Sequence, residues 1–175
     1  MDFSNNQIVS DTIPTIDDII FESLDIRFRK SQLLSTVLFF TGVLIPMLIA
    51  YFFFNKIEIP FIWVVLVGAI WLFLFVISLI YIYVSYRYEG YALREQDILY
   101  KSGIFFRLLL IIPFNRVQHA ELQQGPIDRY FGLGSLILYT AGGSGSDLTI
   151  KGLPYEKAQT LKEIITKRIA ADEEE

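Results

Sequence analysis

The chain has no cysteine and a single histidine. The first absence removes disulfide frameworks, thiolate metal sites and cysteine nucleophiles. The second removes paired-histidine metal sites, and His119, alternating with Gln118 and Ala120 on a predicted strand, reads as a sheet-surface residue rather than a base. Charge is the third shortage, and it is local. Residues 31–55 carry no Asp, Glu, Lys or Arg, and neither do residues 59–86. At ~1.5 Å per residue, about 24 residues reach ~36 Å, enough to cross a hydrocarbon core of ~30 Å with some tilt. Two buried core helices are the alternative, and size rules against them. A chain of 175 residues with 53% hydrophobic content and a mean hydropathy of +0.45 has too little else to cover them. The reading is therefore two membrane helices, over about residues 31–54 and 59–86.

Thirty residues precede the first run, with six acids against three bases, unlike the short positive start of a secretory signal. Only "NKIEIP" separates the runs, so they form a tight hairpin with both chain ends on one side. Arg27, Arg29 and Lys30 flank the first run, Arg87, Arg94 and Lys101 follow the second, and the connection offers only Lys56 beside Glu58. The positive-inside bias then makes both termini cytoplasmic. Tyr81, Tyr83, Tyr86 and Tyr88 cluster at the inner end of the second helix and Trp63 near its outer end, as interfacial aromatics do. Pro46 falls inside the first span, where a kink is tolerated. Neither span carries an ionisable residue, which favours an anchor over a transport pathway. The net charge of −4 conceals a mildly basic body: residues 87–171 hold eleven Lys/Arg against eight Asp/Glu, while the "ADEEE" tail, residues 171–175, and residues 1–25 are acidic.

Within the N-terminal segment, residues 1–30, "IDDIIFESLDIRF" places Ile16, Ile20, Leu24 and Phe28 at four-residue spacing with acids opposite. This predicts an amphipathic helix on the membrane face, or else a continuation of the first span. After residue 86 the pattern changes to short runs, "YEGYAL", "DILYKSG", "IFFRLLLIIP", "RVQHAELQ", "SLILYT" and "DLTIKGL", punctuated by Gly, Pro, Asp and Asn. That is an antiparallel sheet. "LPYEKAQTLKEIITKRIA" closes the region as an amphipathic helix, with Pro154 in its first turn and Tyr155, Ala158, Leu161, Ile165 and Ile169 along one stripe, Ile164 at its edge.

The glycine-rich stretch "GPIDRYFGLGSLILYTAGGSGSD" tests for a phosphate-binding loop. Such loops sit between a strand and a helix and end in Lys-Ser/Thr. Here "GGSGS" leads into the strand "DLTIKG" and "GLG" into "SLILYT", so the glycines are turns and no nucleotide is expected. "IDRYFG" is one short helical turn ending at Gly132. No nucleophile elbow, carboxylate pair or nucleic-acid pattern stands out, so neither enzyme chemistry, nor a cofactor or metal, nor nucleic acid is expected.

In this stretch Ile112-Pro113, Arg116-Val117-Gln118, Gln124, Pro126-Ile127, Arg129, Phe131-Gly132-Leu133, Leu136, Leu138 and Thr140-Ala141-Gly142 stand in one register. The pattern resembles the bacterial pleckstrin-homology (PH) domains of YdbS-like membrane proteins, over residues 88–169, and two preceding helices suit that family. The resemblance implies an α+β membrane protein: a transmembrane hairpin, then at residues 87–170 a cytoplasmic PH-like antiparallel sheet or barrel of about seven strands closed by the C-terminal helix. It implies no enzyme. In PH domains that bind phosphoinositides a basic cluster surrounds the loop joining the first two strands. Here "LREQDIL" sets Arg94 beside Glu95 and Asp97, so phosphoinositide binding is not expected. The expected role is a binding or scaffold protein of the bacterial cytoplasmic membrane, in contact with the bilayer and with a protein partner or further copies of itself. The family context is envelope protection or stress. The competing role is an accessory subunit of a transporter or envelope enzyme acting through its helices. Arg116, Gln118 and Arg129, the long polar members of the motif, either pin the Gly-Pro turn or form a binding face, and the turn-pinning role is favoured because such a turn needs side-chain hydrogen bonds.

Overall fold

In the computed structural model the described residues are 19–53, 60–142 and 147–172. The two charge-free runs form α1 (Ile26–Phe53) and α2 (Phe61–Ser85). Their apolar stretches are not buried inside the protein, so surfaces such as Phe39, Phe53, Phe61 and Phe73 face outward. Water would make that exposure costly at roughly 25 cal/mol per Å² of apolar surface, and lipid removes the cost. The helices meet through aromatic rings: Phe40 lies edge-on to Trp71 at 5.6 Å and to Phe75 at 5.1 Å, and Trp71 stacks on Phe75.

The segment ahead of α1 departs from expectation. Residues 19–25 are not helical; Glu22–Ser23 form β1, and the helix starts only at Ile26. Asp25 sets that boundary by accepting a hydrogen bond from the Arg27 backbone N–H at 2.8 Å, as an N-cap does. The spacing of Leu24 and Phe28 is real, but it spans an extended residue and a first helical turn rather than one amphipathic helix. Both are buried in the domain core, at 2% and 5% exposure, while Ile20 is exposed. Ile16 lies outside the described residues. The other expectation, that the first membrane helix extends upstream, holds from Ile26 onward.

β1 pairs antiparallel with β2 (Gly90–Leu93), Glu22 opposite Tyr91. β3 (Asp97–Ser102) and β4 (Leu108–Pro113) follow in the order β1-β2-β3-β4. A second antiparallel sheet, β5-β6-β7, comprises Val117–Gln123, Leu133–Thr140 and Leu148–Pro154. Of these seven strands one comes from before the membrane helices. "IFFRLLLIIP" is a strand only from Leu108: at Gly103, φ is +100° and an added Cβ would sit 1.8 Å from the Phe106 carbonyl oxygen, so the chain turns there and residues 104–107 form the bend.

The two sheets enclose one core in which Leu24, Phe28, Ile98, Leu136, Ile150 and Ile165 are all buried. α4 (Tyr155–Asp172) covers it with Ala158, Leu161 and Ile165 buried; Ile169 is partly buried and Tyr155 39% exposed at the rim. Pro154 stands one position earlier than expected, as the last residue of β7. α3 (Pro126–Tyr130) is a single turn, and Gly132, at φ +67°, reverses the chain after it. The tip of the β6–β7 hairpin, residues 143–146, lies outside the described residues; at its base Asp147 accepts a hydrogen bond from the Thr140 backbone N–H at 3.0 Å.

Candidate functional site

The domain and the start of α1 are built into each other. Phe28 packs on Gly152, whose φ of +70° and missing Cβ make the space, and the Asp25 N–H donates to the Gly152 carbonyl at 3.2 Å. Tyr86, just past α2, donates its hydroxyl hydrogen to the Leu24 carbonyl at 2.7 Å. Ser31 in α1 donates to the Asp128 carboxylate of α3 at 2.7 Å, and the Arg27 guanidinium reaches the Phe131 carbonyl at 3.3 Å. β1 is clamped from the side: Glu22 accepts from the Tyr91 hydroxyl at 2.8 Å and from the Lys157 ammonium of α4. The hydrogen bonds from Lys157 and then Tyr91 hold the Glu22 carboxyl below its usual pKa. A lowered carboxylate pKa contributes stability that is present above its ordinary value and lost as pH falls through the folded one, so acid weakens the clamp on β1.

The three motif residues do not converge. Arg116 ends a one-turn 3-10 helix, Phe114–Arg116, before β5; Gln118 lies near the start of β5; Arg129 is on α3 beyond its far end. β5 separates Arg116 from Arg129 by about 20 Å at ~3.3 Å per residue. All three side chains are exposed. Arg129 has no side-chain hydrogen bond or ion pair among the described residues. The side-chain hydrogen bonds at this turn come from Gln124, whose side-chain amide donates to the Leu133 carbonyl at 2.7 Å, and from Ser31 and Arg27. Pro154, the register partner of Leu133, has no N–H to offer that carbonyl. Gln124→Ala is therefore expected to cost about 1–2 kcal/mol, while Arg129→Ala stays within about 0.5 kcal/mol. Denaturant unfolding of the full-length variants in detergent distinguishes them; equal costs would return Arg129 to the turn.

Arg116 stands instead at a seam. Among the described residues β4 pairs only with β3, and β5 only with β6, so the outer edge of β4 has no strand beside it. A cleft of about 450 Å³ opens there, lined by Ile111, Pro113, Arg116, Thr140 and Ala141 among others. Backbone donors and acceptors on an open edge, beside apolar side chains and one exposed guanidinium, suit an extended segment with an acidic or carbonyl-rich face.

Residues 33–169 match the family described as the bacterial PH domain. The chain belongs to the bacterial PH domain family. It is also 32% identical over 101 residues to the UPF0699 transmembrane protein YdbS of Bacillus subtilis (strain 168), a match covering 57% of this chain and 62% of that protein. No solved structure matches the chain at a significant level. With the family established, the two apolar helices are those of a membrane protein.

The stretch "LREQDIL" forms the end of β2, the β2–β3 loop and the start of β3. There Arg94 donates from Nε, at 2.6 Å, and from Nη2 to the two oxygens of the Asp97 carboxylate, a bidentate pair along one guanidinium edge. That pairing partly offsets the charge of Arg94 within the loop. His119 stacks on Tyr139 with ring centroids 4.3 Å apart on the exposed sheet face. Sequence reasoning missed two features. The open β4 edge depends on where the sheets part, which periodicity does not encode. The bend at 104–107 was hidden inside an apolar run that reads as strand; Gly103 ahead of it was the available signal.

Proposed function

We propose that this protein is a membrane-anchored binding or scaffold protein whose PH-like domain presents the β4 edge and Arg116 to a protein partner at the cytoplasmic face of a bacterial cytoplasmic membrane. The open β4 edge carries this reading. The fused junction supports it, since Leu24, Phe28 and the Tyr86 hydrogen bond hold the domain in one orientation against the helices, as a platform requires. The partner is another protein or a further copy of this chain. A place in envelope protection or stress response rests on the family resemblance.

The test is photocrosslinking in native membranes from a label at Ile111, with Arg116→Glu as the disrupting variant. A crosslinked partner is expected, with a yield that drops at least tenfold in Arg116→Glu. It should persist when both spans are replaced by an unrelated helical hairpin. A partner that follows the spans instead would make this an accessory subunit acting through its helices. The orientation, with both termini cytoplasmic, rests on the Lys/Arg excess beside the spans. Single cysteines at Ser4, Asn55 and Ser144 check it with a membrane-impermeant thiol reagent in whole cells: only the one at Asn55 should react, and labelling at either of the others reverses the assignment.

A further inference from the structure

The end of β3 faces the membrane helices across a cavity. Ser102 and Gly103 share a cavity of about 290 Å³ with Gln32 of α1 and with Tyr81 and Ser85 of α2, so this strand end lies level with the last turn of the second span. Immediately beyond, the chain bends through residues 104–107. Phe105 and Phe106 stand out from that bend at 84% and 92% exposure, the latter among the most exposed apolar side chains of the domain. Two adjacent bare phenylalanines on a soluble face would be an association hazard, and the backbone shows why they point outward: the Gly103 turn brings the Phe106 carbonyl back over the strand end and directs the side chains away from the core.

Behind the bend is a second cavity, of about 420 Å³, lined by Phe21, Arg87, Tyr88, Lys101, Gly103 and Arg107 among others. None of its lining residues is acidic, and three are cations from three elements: Arg87 past α2, Lys101 on β3 and Arg107 on the bend. Aromatic rings hold two of them. The Lys101 ammonium sits 4.2 Å over the Phe21 ring, and Arg87 lies over Tyr83 while donating to its hydroxyl at 3.3 Å. Apolar tips at the depth of a helix end, cations just behind them and tyrosines between form the sequence of groups met on crossing from acyl chains into an anionic headgroup layer.

We propose that the 104–107 bend inserts Phe105 and Phe106 into the headgroup–acyl boundary of the leaflet that α1 and α2 enter on the domain side, and that Arg87, Lys101 and Arg107 receive the phosphate of an anionic phospholipid there. This contact lies across the domain from the β2–β3 loop and is independent of the partner edge on β4. It fixes the tilt of the domain on the bilayer.

The absence of cysteine makes the experiment clean. Full-length Phe105→Cys, Phe106→Cys and Asn115→Cys each carry one environment-sensitive fluorophore in nanodiscs of phosphatidylcholine, with or without about one-quarter phosphatidylglycerol. Asn115 lies past the opposite end of β4, roughly 20 Å away at ~3.4 Å per residue, and serves as the reference. Labels at 105 and 106 are expected to be quenched by nitroxide-bearing lipids and shielded from aqueous iodide, with the reverse at 115. Phosphatidylglycerol should deepen the lipid quenching at 105 at least twofold, and combined Arg87→Gln, Lys101→Gln and Arg107→Gln should abolish that increment while leaving the label at 115 unchanged. Iodide access at both 105 and 106 overturns the insertion. Shielding without nitroxide quenching also overturns it, because the phenylalanines are then covered by protein. Lipid quenching that ignores phosphatidylglycerol or the triple variant overturns the headgroup assignment.

Discussion

Gly152→Ala is expected to destabilise the full-length protein by about 2–5 kcal/mol, a large fraction of what holds an ordinary domain together. Two costs combine. At φ +70° an alanine is in the left-handed region, where a Cβ costs roughly 1–2 kcal/mol. Its Cβ would also fall 2.2 Å from Cγ of Phe28 and 2.6 Å from Cβ and Cδ1 of the same ring. Phe28 cannot step aside, because it is 5% exposed in the core and belongs to the first turn of α1. Overpacking of that kind adds about 1–3 kcal/mol. Thermal unfolding in detergent measures the loss. Phe28→Ala in the same chain supplies the check: it removes the ring contacts at Cγ and Cδ1 while keeping the Cβ contact and the backbone strain, so the double variant should lose less than the sum of the two single losses. Strictly additive losses would mean that the ring and the glycine do not share this contact.

That contact also marks where sequence reasoning reached its limit. The spans were legible because freedom from charge over more than twenty residues has one physical explanation, and the α4 stripe because Ala158, Leu161 and Ile165 keep helical period on a single buried face. The Gly132 turn was legible from its chemistry. β1 was not. Two residues, Glu22 and Ser23, become a strand only because β2 offers them an edge, and β2 lies beyond both membrane helices. Leu24 and Phe28 showed the right spacing for the wrong reason, since burial against a distant sheet imitates a helical face when only a few positions are sampled. The family match begins at residue 33 and leaves this segment out. Of the site, Arg116 was legible as a long polar residue of the motif; its exposure was not. Its separation from Arg129 was not, because the length of β5 between them becomes a distance only once the strand is extended.

A fragment beginning at Arg87, the boundary that composition alone recommends, is expected not to fold cooperatively. It keeps six of the seven strands and α4, yet it lacks Leu24 and Phe28, both in the core. Loss of a buried leucine typically costs 2–5 kcal/mol and of a buried phenylalanine about 3–5 kcal/mol, which together approach the whole stability of a domain of this size. The fragment also loses the β1 edge, the acceptor at the Leu24 carbonyl and the Glu22 clamp on Tyr91 and Lys157. Residues 19–30 joined by a flexible Gly/Ser linker to residues 86–175 restore each of these without either span. The comparison is near-ultraviolet circular dichroism and amide exchange on the two soluble chains. The linked chain should show fixed aromatic signals and a single unfolding transition; the Arg87 fragment should show neither. Equal cooperativity in both would make the N-terminal segment an accessory cover. The expected contrast would show that the domain is closed by residues lying before the membrane helices, so that its fold draws on chain from both sides of the hairpin.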